Sequence, residues 1–280
     1  MNKAFYSVIG IAALGLVGAA AWWWRHGSSH GPDVTASATP EVRAASAPAL
    51  PASAASAPGI RYPIEAPVAA VADQAPPVPP SVDEMLMGLF GRKAVQSLFQ
   101  LPDFPRRFAA TVDNLGRSQA PAIIWPLNPA EGRFSIRTQD GASIIEPDNG
   151  LRYTAHVLLL ETVDMKQAAA TYAALYPAFQ QAYEDLGFPK KYFNDRLVDV
   201  IDQLLATPEV DGPLKVHLQA VQGPVQPARP WVLYEFDDAR LNALTSGQRI
   251  LLRMGPVNER RVKARLAEFR RLVTATPPPR

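Results

Sequence analysis

The chain has no cysteine in its 280 residues, which removes disulfides, thiolate metal sites and cysteine nucleophiles together. Histidine is almost as scarce, with 4 in all. The two beyond the amino-terminal region, His156 and His217, show no His-Glu-x-x-His spacing, so a zinc hydrolase would have to recruit carboxylates for its remaining ligands. Excess charge of one sign is also missing: 28 Lys+Arg face 26 Asp+Glu. With a sequence pI of about 8.9, bulk electrostatics give no case for a polyanion partner. No Ser-x-x-Lys or Gly-x-Ser-x-Gly is present, which closes two acyl-enzyme routes. The absence of a Walker loop and of Gly-x-Gly-x-x-Gly leaves nucleotide chemistry without support. No cofactor and no metal are expected.

What is present divides into parts. Residues 1–25 read as a transmembrane anchor. Phe5 to Trp24 are 20 consecutive residues without a formal charge, about 30 Å as a helix, which matches a bilayer's hydrocarbon core. Tyr6 and the Trp22–Trp24 triplet place amphipathic rings at the two interfaces, with Lys3 and Arg25 outside them. A cleaved signal peptide is the competing reading, because Ala19-Ala20-Ala21 suits a peptidase. The apolar run is longer than a usual signal core, however, and three tryptophans would follow the cut. Gly15 and Ala19 could also make a small-residue helix-dimer face. The positive-inside count leans to a cytoplasmic amino terminus.

Residues 26–80 carry 11 prolines and 15 alanines, a composition that cannot bury a core and reads as a disordered linker. As a flexible coil it would span about 40 Å. Residues 81–273 read as one globular domain, long enough for a sizeable core without metals or disulfides, and 274–280 as a disordered tail. The expected class is mainly α (α+β): helices with one short hairpin and an additional strand.

Within the domain, Ser81 and Glu84 form a capping box opening a helix that continues past Gly91 to Phe99. Asp103 is placed to cap the next helix, which ends at Gly116. Residues 134–138 and 142–146 alternate in polarity around Asp140-Gly141, the signature of a tight hairpin. Asp164 caps a long helix kinked at Pro177. Asn194 or Asp195 caps the following one, and 231–236 reads as a strand. Thr245 with Gln248 starts a helix ending at Gly255, and Pro256 opens the last.

The segments TVDNL (Thr111 to Leu115), YFNDRLVDVIDQLLATP (Tyr192 to Pro208) and LYEFDD with LNALTSGQRILLRMGPVNERRVKARL (Leu233 to Leu266) resemble the uncharacterised bacterial domain of unknown function 3014 family. The resemblance covers most of 81–273. It implies a single-pass membrane protein with a proline-rich linker, and no catalytic residue, because the family has no established activity.

Three constellations are candidates for a site. Asp195, Asp199 and Asp202 recur at four and three residues, so they share one helix face. If partly buried, such carboxylates raise one another's pKa and could supply a general acid for glycosidic cleavage. Capping and pairing with Arg196, Arg106 or Arg107 is the plainer and preferred role. Tyr172, Tyr176, Phe179 and Tyr183 form an aromatic stripe that reads first as core, with Tyr176 and Tyr183 as candidate cleft residues. Arg260, Arg261, Lys263 and Arg265, with Arg270 and Arg271, make the last helix cationic and amphipathic. Such a face is solvated, or it meets lipid headgroups or wall carboxylates.

The sequence therefore favours a non-enzymatic binding or scaffold module in the bacterial inner membrane. The bilayer holds residues 5–24, the domain lies in the periplasm, and an envelope protein or the cell wall is the partner. A carbohydrate-active enzyme using the helix carboxylates is the alternative. A nucleic-acid binder would require inverted topology.

Overall fold

Ser81 accepts a hydrogen bond from the Glu84 amide, and Glu84 accepts one in return from the Ser81 amide at 2.8 Å. That reciprocal cap opens α1 (Val82–Phe90) in a computed structural model that describes residues 59–64, 80–220 and 230–275. All of these lie in one unit, 56–280. The proposed span at 5–24 and residues 276–280 of the proposed tail lie outside the described residues, while Thr274, which the sequence reading assigns to that tail, is the last residue of the final helix. Among the described residues no helix is long and apolar enough to cross a membrane.

Gly91 has φ +82° and ψ 143°, a conformation open to glycine and hostile to other residues. It divides the single helix expected through Phe99 into α1 and α2 (Arg92–Leu98). Asp103 precedes α3 (Phe104–Leu115) but does not cap it. Its backbone is left-handed, at φ 55°, and its side chain makes no capping bond, whereas a capping side chain needs the extended backbone that Ser81 has.

The hairpin forms as expected, slightly shifted. β1 (Ile136–Gln139) and β2 (Ala142–Ile145) pair antiparallel with Gln139 opposite Ala142. Asp140 and Gly141 both have positive φ, as a two-residue type I′ turn requires. A 3₁₀ turn at Pro147–Tyr153 leads into α4 (Thr154–Thr162), then α5 (Met165–Asp185) and α6 (Phe193–Leu205). The Asp164 carboxylate caps α5 by accepting from the Lys166 and Gln167 amides. The helix then runs through Pro177 without interruption.

A second strand pair, β3 (Val216–Leu218) with β4 (Tyr234–Phe236), joins the first through a bridge between Ile144 and Lys215. The expected strand at 231–236 is thus shorter, because Pro230–Val232 is a 3₁₀ turn. α7 (Ala239–Asn242), α8 (Ser246–Met254) and α9 (Pro256–Thr274) complete the domain. The fold is mainly helical with two small antiparallel pairs, so the α+β expectation holds at that level.

α5 and α6 form the centre, with α3 and α9 packed on both and α4 along α9. Their shared core contains Phe104, Val112, Tyr172, Phe179, Phe193, Val198 and Ile201. A smaller apolar cluster of Val216, Phe236 and Leu252 lies under the strands.

The main core is not filled. Between α1, α3, α4, α5 and α9 lies a cavity of about 400 Å³.

Candidate functional site

The amino-terminal end of α6 carries no cap of its own. Tyr192 is in the capping position and makes no side-chain capping bond. The orphan amides of the first turn are met from α5 instead. Gln180 Oε1 accepts from the Phe193 amide at 2.8 Å, and the Tyr176 hydroxyl accepts from the Asn194 amide at 3.2 Å while donating to Gln180. Neither Asn194 nor Asp195 is therefore needed as a cap, contrary to the sequence expectation.

Both side chains turn to residues 59–64, a segment that the sequence assigns to the linker. The Asp195 carboxylate accepts from the backbone amides of Arg61, at 3.1 Å, and Tyr62, at 2.9 Å. The Arg61 guanidinium donates to Asp199 at 2.8 Å, and that bond holds its pKa above the ordinary arginine value. The Tyr192 hydroxyl accepts from the Ile64 amide at 2.7 Å.

Asn194, fully buried, is the hub beneath. Its Nδ2 donates to the carbonyls of Tyr62 at 2.8 Å and Val273 at 3.0 Å, and its Oδ1 accepts from the Tyr172 hydroxyl. Tyr62 and Ile64 pack against the main core. Arg61, Tyr62 and Ile64 of the supposed linker are therefore gripped by polar and apolar contacts together.

The three candidate carboxylates share one face, but none is arranged as an acid. Asp195 and Asp199 hold the segment, and Asp202 pairs with Arg270, whose Nη2 lies 2.9 Å away. That bond raises the Arg270 pKa, with a lesser contribution from Tyr62. The expected partners Arg196, Arg106 and Arg107 are not theirs. Arg196 donates to the buried Asp113 carboxylate at 2.9 Å, and Arg107 donates to the Pro102 and Ile123 carbonyls. Among the described residues no group of three or more His, Asp or Glu could hold a metal ion.

Tyr176 and Tyr183 are buried at 5% and 2% exposure, so they are core and not cleft residues. Burial is the main cause raising both phenols above the ordinary tyrosine value.

The basic face of α9 is largely neutralised from within. Arg261 pairs with Glu161 on α4 at 2.6 Å, Lys263 with Glu259 at 2.7 Å, and Arg265 with Glu268 at 2.6 Å. Arg265 also donates to the Leu160 and Val163 carbonyls at the end of α4, where a cation is favoured. Arg260 is exposed, and no acidic side chain among the described residues pairs with it. Of the six cations on this helix, Arg260 and Arg271 are thus the two exposed without an acidic partner among the described residues.

Sequence reading missed Arg61, Tyr62 and Ile64 because the linker was judged by average composition. The signal was local. Tyr62 is the sole aromatic residue between 26 and 80, and Ile60 and Ile64 are the sole isoleucines.

The sequence model of the family described as Protein of unknown function (DUF3014) matches residues 104–270, more than half of the chain. No curated protein and no solved structure matches it.

Proposed function

We propose, for a chain that belongs to the DUF3014 family of proteins of unknown function, a non-enzymatic binding module held on a membrane tether, with the acidic face of α6 as its recognition surface. The observation that carries this reading is the grip on 59–64. Asp195 takes two successive backbone amides, a contact that any extended peptide can make. Asp199 and the apolar bed beneath Tyr62 and Ile64 then select a basic residue followed by an aromatic one. Extended peptides are commonly recognised by this division between backbone contacts and side-chain pockets. The tether's own segment occupies the surface, and a partner presenting the same chemistry displaces it.

The placement of the module follows the sequence. Residues 5–24 are the proposed single span of a bacterial inner membrane, with the amino terminus cytoplasmic and the domain periplasmic. An envelope protein or the cell wall is the partner class. With 59–64 docked, the free tether shortens to residues 26–58, about 30 Å as a flexible coil. An alkaline phosphatase fused to the carboxyl terminus is active on this reading. An inactive fusion on stably made protein reverses the topology.

The recognition surface is tested with a fluorescent peptide of residues 57–65 added to the full-length chain. A tethered segment competes at an effective concentration in the millimolar range, so the native chain shows little binding. The Arg61→Ala, Tyr62→Ala double variant exposes the face and raises the peptide's anisotropy, and Asp195→Asn in that background removes the rise. An opened chain that ignores the peptide removes the basis for the proposal.

A further inference from the structure

The docked segment alternates in exposure as an extended chain does. Arg61 and Pro63 are exposed, while Tyr62 and Ile64 are half-buried against the main core. Its main chain meets the start of α6 in a fixed order. The Arg61 and Tyr62 amides donate to Asp195, the Tyr62 carbonyl accepts from Asn194 at 2.8 Å, and the Ile64 amide donates to the Tyr192 hydroxyl at 2.7 Å. Donor, donor, acceptor, donor is a pattern with a direction. A chain laid the opposite way cannot repeat it with its side chains in the same places.

The group at the centre of this pattern is held rigidly. Asn194 is fully buried, its Oδ1 accepts from the Tyr172 hydroxyl, and its Nδ2 donates to the Val273 carbonyl. Those two bonds fix which end of the amide is nitrogen. The second Nδ2 hydrogen is therefore presented to the occupant by a side chain that has no rotamer freedom left to lose.

Side chains supply the rest of the selection. Arg61 reaches Asp199 at 2.8 Å, and Tyr62 and Ile64, two positions apart, enter one apolar bed. The position between them faces outward. Proline suits it, because it brings no amide that needs a partner and holds the preceding tyrosine extended. A glycan strand offers neither the guanidinium nor the paired apolar side chains.

We infer, resting on the recognition surface proposed for α6, that its partner is a protein segment in extended conformation, with a basic residue, an aromatic residue, an outward-facing residue such as proline and an aliphatic residue in that order. The segment is read in one chain direction. Asn194 and Tyr192 are the specificity residues that set this direction, by demanding a carbonyl at the aromatic position and an amide two residues later.

The test titrates fluorescent peptides into the full-length Arg61→Ala, Tyr62→Ala chain. The peptide of residues 57–65 binds. Its reversed sequence, equal in composition and charge, binds at least about tenfold more weakly, since it loses more than one of these bonds. A peptide with an ester in place of the Pro63–Ile64 amide loses the donor to Tyr192 and no side chain, and binds about fivefold more weakly. Equal binding of the forward and reversed peptides, or of the amide and the ester, overturns the directional reading while leaving α6 a binding surface. Binding of no peptide to a folded chain removes that surface as well. Should the double variant not fold, the absence of cysteine from the chain allows a single dye on Ile60→Cys, an exposed position, to report release of the native segment by the same peptides in the millimolar range. The same ranking is expected there, and the same equalities overturn it.

Discussion

An aspartate in the first turn of a helix ordinarily satisfies the helix's own amides, yet Asp195 serves a chain segment 133 residues away in sequence. It accepts from two amides, that of Arg61 shared between both oxygens and that of Tyr62, and such charge-assisted bonds are worth about 1.5–3 kcal/mol each when formed. The neighbouring Asp199–Arg61 pair is different. Both side chains are close to half exposed, at 43% and 51%, where ion pairs contribute roughly 0–1 kcal/mol. Asp195→Asn should therefore lower the unfolding free energy by about 2 kcal/mol and Asp199→Asn by less than about 1 kcal/mol, read from urea midpoints at an unchanged slope. Equal losses would mean that side-chain charge, and not the backbone grip, holds the segment. Asn149 shows the same economy in a buried setting. At 1% exposure it pairs both the amide and the carbonyl of Ser135, acting as one more residue of a strand. Asn149→Ala leaves the Ser135 amide unpaired, while the Ser135 carbonyl keeps its bond from the Glu146 amide, for an expected loss of about 1–3 kcal/mol, measured by thermal or urea unfolding.

At the scale of elements, what the sequence disclosed is what local chemistry dictates. The capping boxes at Ser81 and Thr245, the Asp164 cap, the Asp140-Gly141 turn and the helix start at Pro256 all follow from residues within four positions of one another. The failures at β3 and at the α6 cap have the opposite property. β3 exists because Val216 meets Phe236, 20 residues on, and the α6 cap is absent because Gln180 and Tyr176 of another helix replace it. The carboxylate face was legible as a pattern, while its partner was hidden in a stretch averaged over 55 residues. The α5 stripe gives a pH prediction. Burial raises the phenols of Tyr172, Tyr176 and Tyr183 in the folded state, so they stay neutral there while unfolded tyrosines ionise near pH 10. Their contribution is complete below about pH 10 and declines as pH rises further, because the unfolded chain then releases more protons. Urea midpoints should fall between about pH 10 and 11.5, with a shallower decline in Tyr172→Phe. A close approach supplies another prediction. A Cβ on Gly247 would lie 2.6 Å from Leu204 Cδ2 and 3.0 Å from the Leu115 carbonyl, so Gly247→Ala forces α8 away from α3 and α6 and costs about 1–3 kcal/mol, read in the same unfolding assay.

For the molecule as a whole, the docked segment decides where the tether leaves the domain and which of its bonds a protease can reach. Arg43 and Arg61 are the only trypsin sites between 26 and 80. The Arg61–Tyr62 peptide is flanked by amides bonded to Asp195 and by a Tyr62 carbonyl bonded to Asn194. Cleavage needs an extended, detached chain, so it reports the opening free energy of this one contact and not global unfolding. Native full-length protein should be cut after Arg43 first, leaving a fragment that begins at Ala44. In Asp195→Asn, Asp199→Asn the fragment beginning at Tyr62 should appear at least about tenfold faster, since losing roughly 1.4 kcal/mol of grip already multiplies the open population by ten. The expected ordering depends on the grip alone and not on whether a membrane is present, so it holds for protein in vesicles and in detergent alike. Equal cutting after Arg43 and Arg61 in the native chain would show that 59–64 is not held, and the peptide-recognition role would lose its support.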